Sequence, residues 1–147
     1  MKTPFLLGRL VFGGFFLWSG IDHFRQKKEL AQYAASKNVP LPDMAVAATG
    51  AMMIAGGTSV LLGIKPKFGT LALIGFLAGV SPAMHDFWKV EDPEKRASEL
   101  AHFTKNMALL GAATTLMAME EPWPVSVPIG QPSLLDRVRR FTREIAA

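Results

Sequence analysis

Apolar residues fall in long blocks along this chain, and charge is confined between them. Residues 5–21 contain one charge, Arg9; residues 44–64 and 68–84 contain none. A helix needs roughly 17–25 apolar residues to cross a bilayer, so each block predicts a spanning helix. A fourth block, from about His102 to Met119, carries Lys105 and Asn106 in its first turn. The expected spans are about 5–22, 44–64, 68–86 and 102–119. Arg9 sits near the start of its span, where a long side chain reaches the headgroups.

The segments between the blocks have their own patterns. In "HFRQKKELAQYAASKNVPLPD", Phe24, Leu30, Tyr33 and Ala34 recur at helical spacing, which predicts a short interfacial helix ending before Asn38. Pro40 and Pro42 set an extended turn, and Asp43 is placed to cap the next helix. "KPK", residues 65–67, is a tight connection. Pro82 is expected to kink the third span, and Pro93 to open a helix through "PEKRASELAHF". Gly75 and Gly79 stand in GxxxG spacing, a pattern that lets membrane helices approach closely.

From Pro122 the character changes. Four prolines hold residues 122–132 extended, and Ser133 caps a last helix. Its stripe of Leu134, Val138, Phe141 and Ile145 is flanked by Arg137, Arg139, Arg140 and Arg143. That pairing of an apolar face with cationic flanks suits a helix lying on an anionic membrane surface. The expected fold is therefore all-α: an integral membrane four-helix bundle over residues 1–121, followed at 122–147 by a Pro-rich linker and an amphipathic surface helix.

Composition narrows the chemistry. There is no cysteine, so disulfides, thiolate catalysis and Cys-ligated metals are excluded. The formal net charge of +4 points to anionic lipid headgroups, and no aromatic-interleaved basic patch suggests nucleic acid. No phosphate loop, nucleophile elbow or HExxH spacing is present.

The chain repeats itself. "SGIDHF" (19–24) and "SPAMHDF" (81–87) each close an apolar block with Ser, His four residues on, an adjacent Asp and a nearby Phe. The bundle therefore reads as two parallel helix-hairpin repeats, with both His/Asp ends on one membrane face. His102 opens the fourth block on that same face. His23, His85, Asp86, Trp88, His102, Lys105 and Asn106 then form one candidate polar cluster, with Asp22 beside it. The plainest reading is a buried network in which His–Asp and Lys–Asp pairs satisfy one another, Lys105 offsetting Asp22 or Asp86. A quinone headgroup, hydrogen-bonded by His or Asp between Phe24, Phe87, Trp88 and Phe103, is a second. A metal or haem held by the three histidines is a third. Trp18, Trp88 and Trp123 also suit interfacial anchors.

"HDFWKVEDPEKRASELAHFTKNMALLGA" resembles DoxX-like membrane proteins, in which a Phe-Trp turn, an acidic linker with a DP step and an "hFxKNxxLLG" helix opening recur. "FGGFFLWSGIDHF", "VPLPD" and "GGTSVLLGIKPKFG" look like earlier parts of the same family, with Asn38 where Gly is common. The resemblance covers roughly residues 5–119. It implies a four-helix bundle in a bacterial inner membrane, serving as a subunit or accessory of a quinone-linked oxidoreductase or other redox complex. The alternatives are a quinone- or small-molecule-binding enzyme subunit with His23, His85 and His102 in proton transfer, and an assembly factor docking a larger complex. The implied partners are membrane lipid, a protein of a redox or respiratory complex, and further copies of the chain. Lysine and arginine counts are equal on the two faces, but the "KPK" loop is short and the opposite loops are neutralised by acids. Both termini are therefore expected in the cytoplasm.

Overall fold

The computed structural model describes residues 2–127, and the arginine-rich helix expected at 133–147 lies outside them. The described residues form α1 (Lys2–Arg25), α2 (Lys27–Ser36), α3 (Pro42–Leu62), α4 (Pro66–Met84), a 3-10 turn (Phe87–Lys89) and α5 (Pro93–Met117). They contain no strand. Three segments, Thr3–Arg25, Pro42–Leu62 and Pro66–Lys89, are long and apolar enough to cross a membrane. α5 differs because its apolar part continues directly from the polar "PEKRASELAHF" stretch as one helix.

Prolines set the starts of three helices. Pro42, Pro66 and Pro93 occupy the first turn of α3, α4 and α5, where a missing N–H costs nothing. Asp92 caps α5, its carboxylate accepting from the Glu94 and Lys95 N–H groups. Asp43 does not cap α3: Leu41 holds that position and Asp43 already lies in the first turn. The proline at 42 starts the helix two residues earlier than the polar signal suggested.

Two helix ends depend on left-handed residues. Asn38, at φ 58°, follows α2, with Asn38 N–H donating to Ala35 O and Val39 N–H to Ala34 O. Asn tolerates this conformation better than most side chains, so it serves where a glycine is otherwise expected. Gly63, at φ 68°, ends α3 the same way, with Ile64 N–H donating to Ser59 O.

Glycines set the helix crossings. A Cβ on Gly57 would lie 2.6 Å from Leu17 N and 2.8 Å from Gly13 O, and one on Gly20 would lie 2.9 Å from Gly50 O. α1 and α3 thus run antiparallel with backbones in contact. Gly56, against Leu73 and Gly69, does the same for α3 and α4. The expected GxxxG pair is not part of this. A Cβ on Gly79 would meet nothing within 4 Å, and one on Gly75 only Met52 Cε at 4.0 Å. Both glycines line a cavity instead.

The core is Phe12, Phe16, Met53, Val60, Leu73, Phe76, Leu77 and Ala113. α1 and α4 run one way, α3 and α5 the other, as two parallel hairpins require. The linkers differ: the first half has a helix, α2, where the second has only the 3-10 turn.

At the far end of the bundle, Arg9 departs from expectation. It is 3 % exposed, and its guanidinium donates to Pro124 O and Val125 O, both at 2.8 Å. The chain after α5 folds back over the helix ends and supplies these carbonyls, so the side chain turns inward. Trp123 is 2 % exposed, edge-on to Phe5 at 5.4 Å, and is a core residue rather than an interfacial anchor. Trp18 and Trp88 remain exposed.

Candidate functional site

α1 and α4 both end at the face where α5 begins, and their parallel course gathers the histidines there. A cavity of ≈ 220 Å³ opens between these helices. His23 from α1, His85 after α4, and Lys105 and Asn106 from α5 line it, with Tyr33 from α2. Phe15, Phe16, Phe76, Leu77 and Leu109 supply apolar walls.

The hydrogen-bonding state of each polar group follows from its partner. His23 Nδ1 lies 3.2 Å from Ser19 O, a carbonyl that only accepts, so Nδ1 carries the proton. Nε2 is then left with a lone pair. Asn106 is 7 % exposed and makes no side-chain hydrogen bond among the described residues. Its amide atoms keep access to the cavity; the enclosed side-chain atoms without a partner among the described residues are Arg9 Nε and Trp123 Nε1. Ser81, at the matching place in the second repeat, turns away and donates to Leu77 O at 2.5 Å.

His85 belongs to both the cavity and an ionic network at the rim. Its Nδ1 lies 2.7 Å from Glu99 Oε2, and Tyr33 OH donates to Glu99 Oε1 at 2.8 Å. Lys37 Nζ reaches Asp86 Oδ1 at 2.7 Å and Glu99 Oε1 at 3.7 Å. The hydrogen bond to Asp86 raises Lys37 above the ordinary lysine value. Burial opposes ionisation of Glu99, but hydrogen bonds from His85 and Tyr33 and the charge of Lys37 outweigh it, so Glu99 is lowered. Burial and then Glu99 push Tyr33 up.

Of the seven residues singled out in the sequence, His23, His85, Lys105 and Asn106 meet at the cavity. His102 stands beside it, stacked on His85 at 5.1 Å and 15°. Asp86 faces Lys37 at the rim, and Trp88 packs with Phe87 and Phe103 on the outside. The expected pairing of Lys105 with Asp22 or Asp86 does not form. Lys105 Nζ approaches His102 Nδ1 at 3.5 Å, Asp22 accepts from Gln26, and Asp86 is taken by Lys37. Lys37, Glu99 and Tyr33 escaped sequence reading because each sits on an amphipathic linker where charges are ordinarily solvated. Their spacing in the chain carries no sign of their meeting. Among the described residues no group of three or more His, Cys, Asp or Glu side chains is arranged to hold a metal ion.

No curated protein matches this chain, and no solved structure does. A family model described as DoxX matches residues 5–86, ending just before the "FWK…DP…HFTKN" stretch that carries most of the motif resemblance. That match takes in α1 to α4 and both Ser–His repeats, over half of the sequence; with its apolar spanning helices, the chain is a membrane protein of the DoxX family.

Proposed function

We propose that this protein is a four-span subunit of a redox complex in a bacterial inner membrane, and that its cavity receives the headgroup of a quinone. The observation that carries the reading is the uncommitted Asn106 amide, 7 % exposed, facing an apolar-walled cavity beside His23, His85 and Lys105. The Asn106 amide lines the cavity without a side-chain partner among the described residues, and a ligand carbonyl suits its N–H donors. A quinone, when bound, supplies an acceptor of two electrons and two protons with carbonyl oxygens at opposite ends of its ring.

The chain's own groups have distinct parts in this reading. Asn106 and Lys105 donate hydrogen bonds from α5. His23 Nε2 accepts from the opposite wall. His85, bonded through Nδ1 to Glu99, links the cavity to the rim carboxylates and is placed to pass a proton inward at Nε2. The chain has no cysteine, so any thiol or sulfur-relay chemistry belongs to a partner. α5 crosses the membrane as the fourth span. Its apolar part, residues 102–117, advances about 24 Å at 1.5 Å per residue and packs against α4, while the charged turns before His102 stay at the rim. Both termini face the cytoplasm.

Purification in mild detergent, followed by solvent extraction, tests the site. Near-stoichiometric quinone is expected with the unaltered protein, and much less with Asn106→Leu. A ligand-free protein from quinone-replete membranes would refute the reading.

A further inference from the structure

A second cavity, of ≈ 240 Å³, lies under α2 against α3 and α4. His23, Leu30, Phe76, Val80 and Met84 line both it and the polar cavity, so these five side chains form a common wall. Met84, unbranched and with three rotatable bonds, is the adaptable part of that wall. The two spaces differ in chemistry. The polar one offers Lys105, Asn106 and two imidazoles. The one under α2 offers only His23, because its other polar side chain, Thr49, is spent within its own helix on Ala45 O at 2.8 Å and Val46 O at 3.2 Å. Its occupant is therefore apolar.

The sequence keeps this space open. Gly75, Gly79 and Ala83 recur at four-residue intervals along the wall that α4 supplies. A Cβ on Gly79 would meet nothing within 4 Å, and one on Gly75 only Met52 Cε at 4.0 Å. Helix contact does not use this pair, since α3 meets α4 at Gly56 and Gly69 instead. Packed interiors leave few voids larger than a water molecule. An apolar cavity of roughly 150 Å³ stays dry and takes a six-carbon ring. On that scale ≈ 240 Å³ has room for about ten carbons, or two isoprenoid units.

Resting on the quinone reading above, we propose that the ligand carries an isoprenoid tail whose first two units lie under α2, with the ring in the polar cavity. From Ala83 to Gly75 the axis of α4 advances about 12 Å away from the histidine face, the direction a tail must take. Leu30 and Ala34 of α2 roof the space, which gives a helix found in one repeat alone a task in that repeat.

The test uses the full chain in nanodiscs and two benzoquinones, one methylated and tail-less, the other bearing two isoprenoid units, with affinities corrected for partition into lipid. Gly79→Leu fills the space under α2, and Gly75→Val fills it at a second point; neither glycine lines the polar cavity. The unaltered protein should bind the two-unit ligand at least tenfold more tightly than the tail-less one. Both variants should lose that gain and keep tail-less binding within twofold, which also shows that they fold. No gain in the unaltered protein, the result if a bilayer acyl chain fills the space, overturns the tail site and leaves the headgroup reading intact. So does a gain that survives both variants. Loss of tail-less binding in both variants overturns the division into ring and tail spaces. Failure of both ligands to bind the unaltered protein overturns the headgroup reading together with the tail site.

Discussion

Gly57 offers the sharpest test of how this fold is held. Alanine at this position would place a Cβ 2.6 Å from Leu17 N, 2.8 Å from Gly13 O and 3.1 Å from Phe16 C. All three are backbone atoms, so no rotamer change relieves the overlap and α1 must move away from α3. Overpacking of this kind typically costs about 1–3 kcal/mol. Ala is better than Gly in a helix interior by about 0.5–1 kcal/mol, which offsets part of that. The net expectation is a destabilisation of about 1–2 kcal/mol. Gly14→Ala is the internal control, because a Cβ there meets nothing within 4 Å and only the propensity gain remains. The two variants should therefore differ by about 2 kcal/mol with opposite signs. Reversible unfolding in mixed SDS micelles measures both. Equal stabilities for Gly57→Ala and Gly14→Ala would refute the claim that α1 and α3 meet through backbone at this crossing.

Other consequences follow from the charged groups. Arg9→Met removes both donors to Pro124 O and Val125 O, and the Val127 amide, which donates to Leu62 O at 2.9 Å, should exchange with solvent at least tenfold faster. Arg9→Lys should not restore protection, since one ammonium does not reproduce the planar fork. The Lys37–Asp86 pair, with side chains 17 % and 16 % exposed, should show a coupling of about 1–2 kcal/mol in a double-mutant cycle of Lys37→Met and Asp86→Asn. Glu99 is held below its ordinary value of 4.5, so its contribution is complete above that value and fades as pH falls through the lowered one. Lys37 is raised above 10.5, so its contribution is complete below that value and is lost as pH rises further. Melting in detergent should thus be flat near neutrality and fall in acid, and Glu99→Gln should shrink the acid limb. Alkaline phosphatase fused after Ala147 should be inactive, and an active fusion would reverse the proposed orientation.

The spanning helices were legible because the signal for them is local: uninterrupted apolar runs whose starts are marked by proline. The histidine face was legible for a related reason. A Ser–His spacing repeated at the ends of two parallel spans places the imidazoles on one side without any knowledge of packing. What the sequence did not disclose depends on contacts across the chain. Arg9 looked like a headgroup anchor because the carbonyls that receive it belong to residues 124 and 125, more than a hundred positions away. Lys105 looked like the counter-ion of the histidine-side aspartates because it was the nearest cation at membrane depth, whereas α2 delivers Lys37 to Asp86 and Glu99 first. That exchange of partners changes the chemistry of the site. With Asp86 and Glu99 met at the rim by Lys37, Lys105 approaches His102 instead, and Asn106 makes no side-chain hydrogen bond among the described residues. α2, absent from the second repeat, breaks the symmetry of the two hairpins and takes up the charge that would otherwise close their centre.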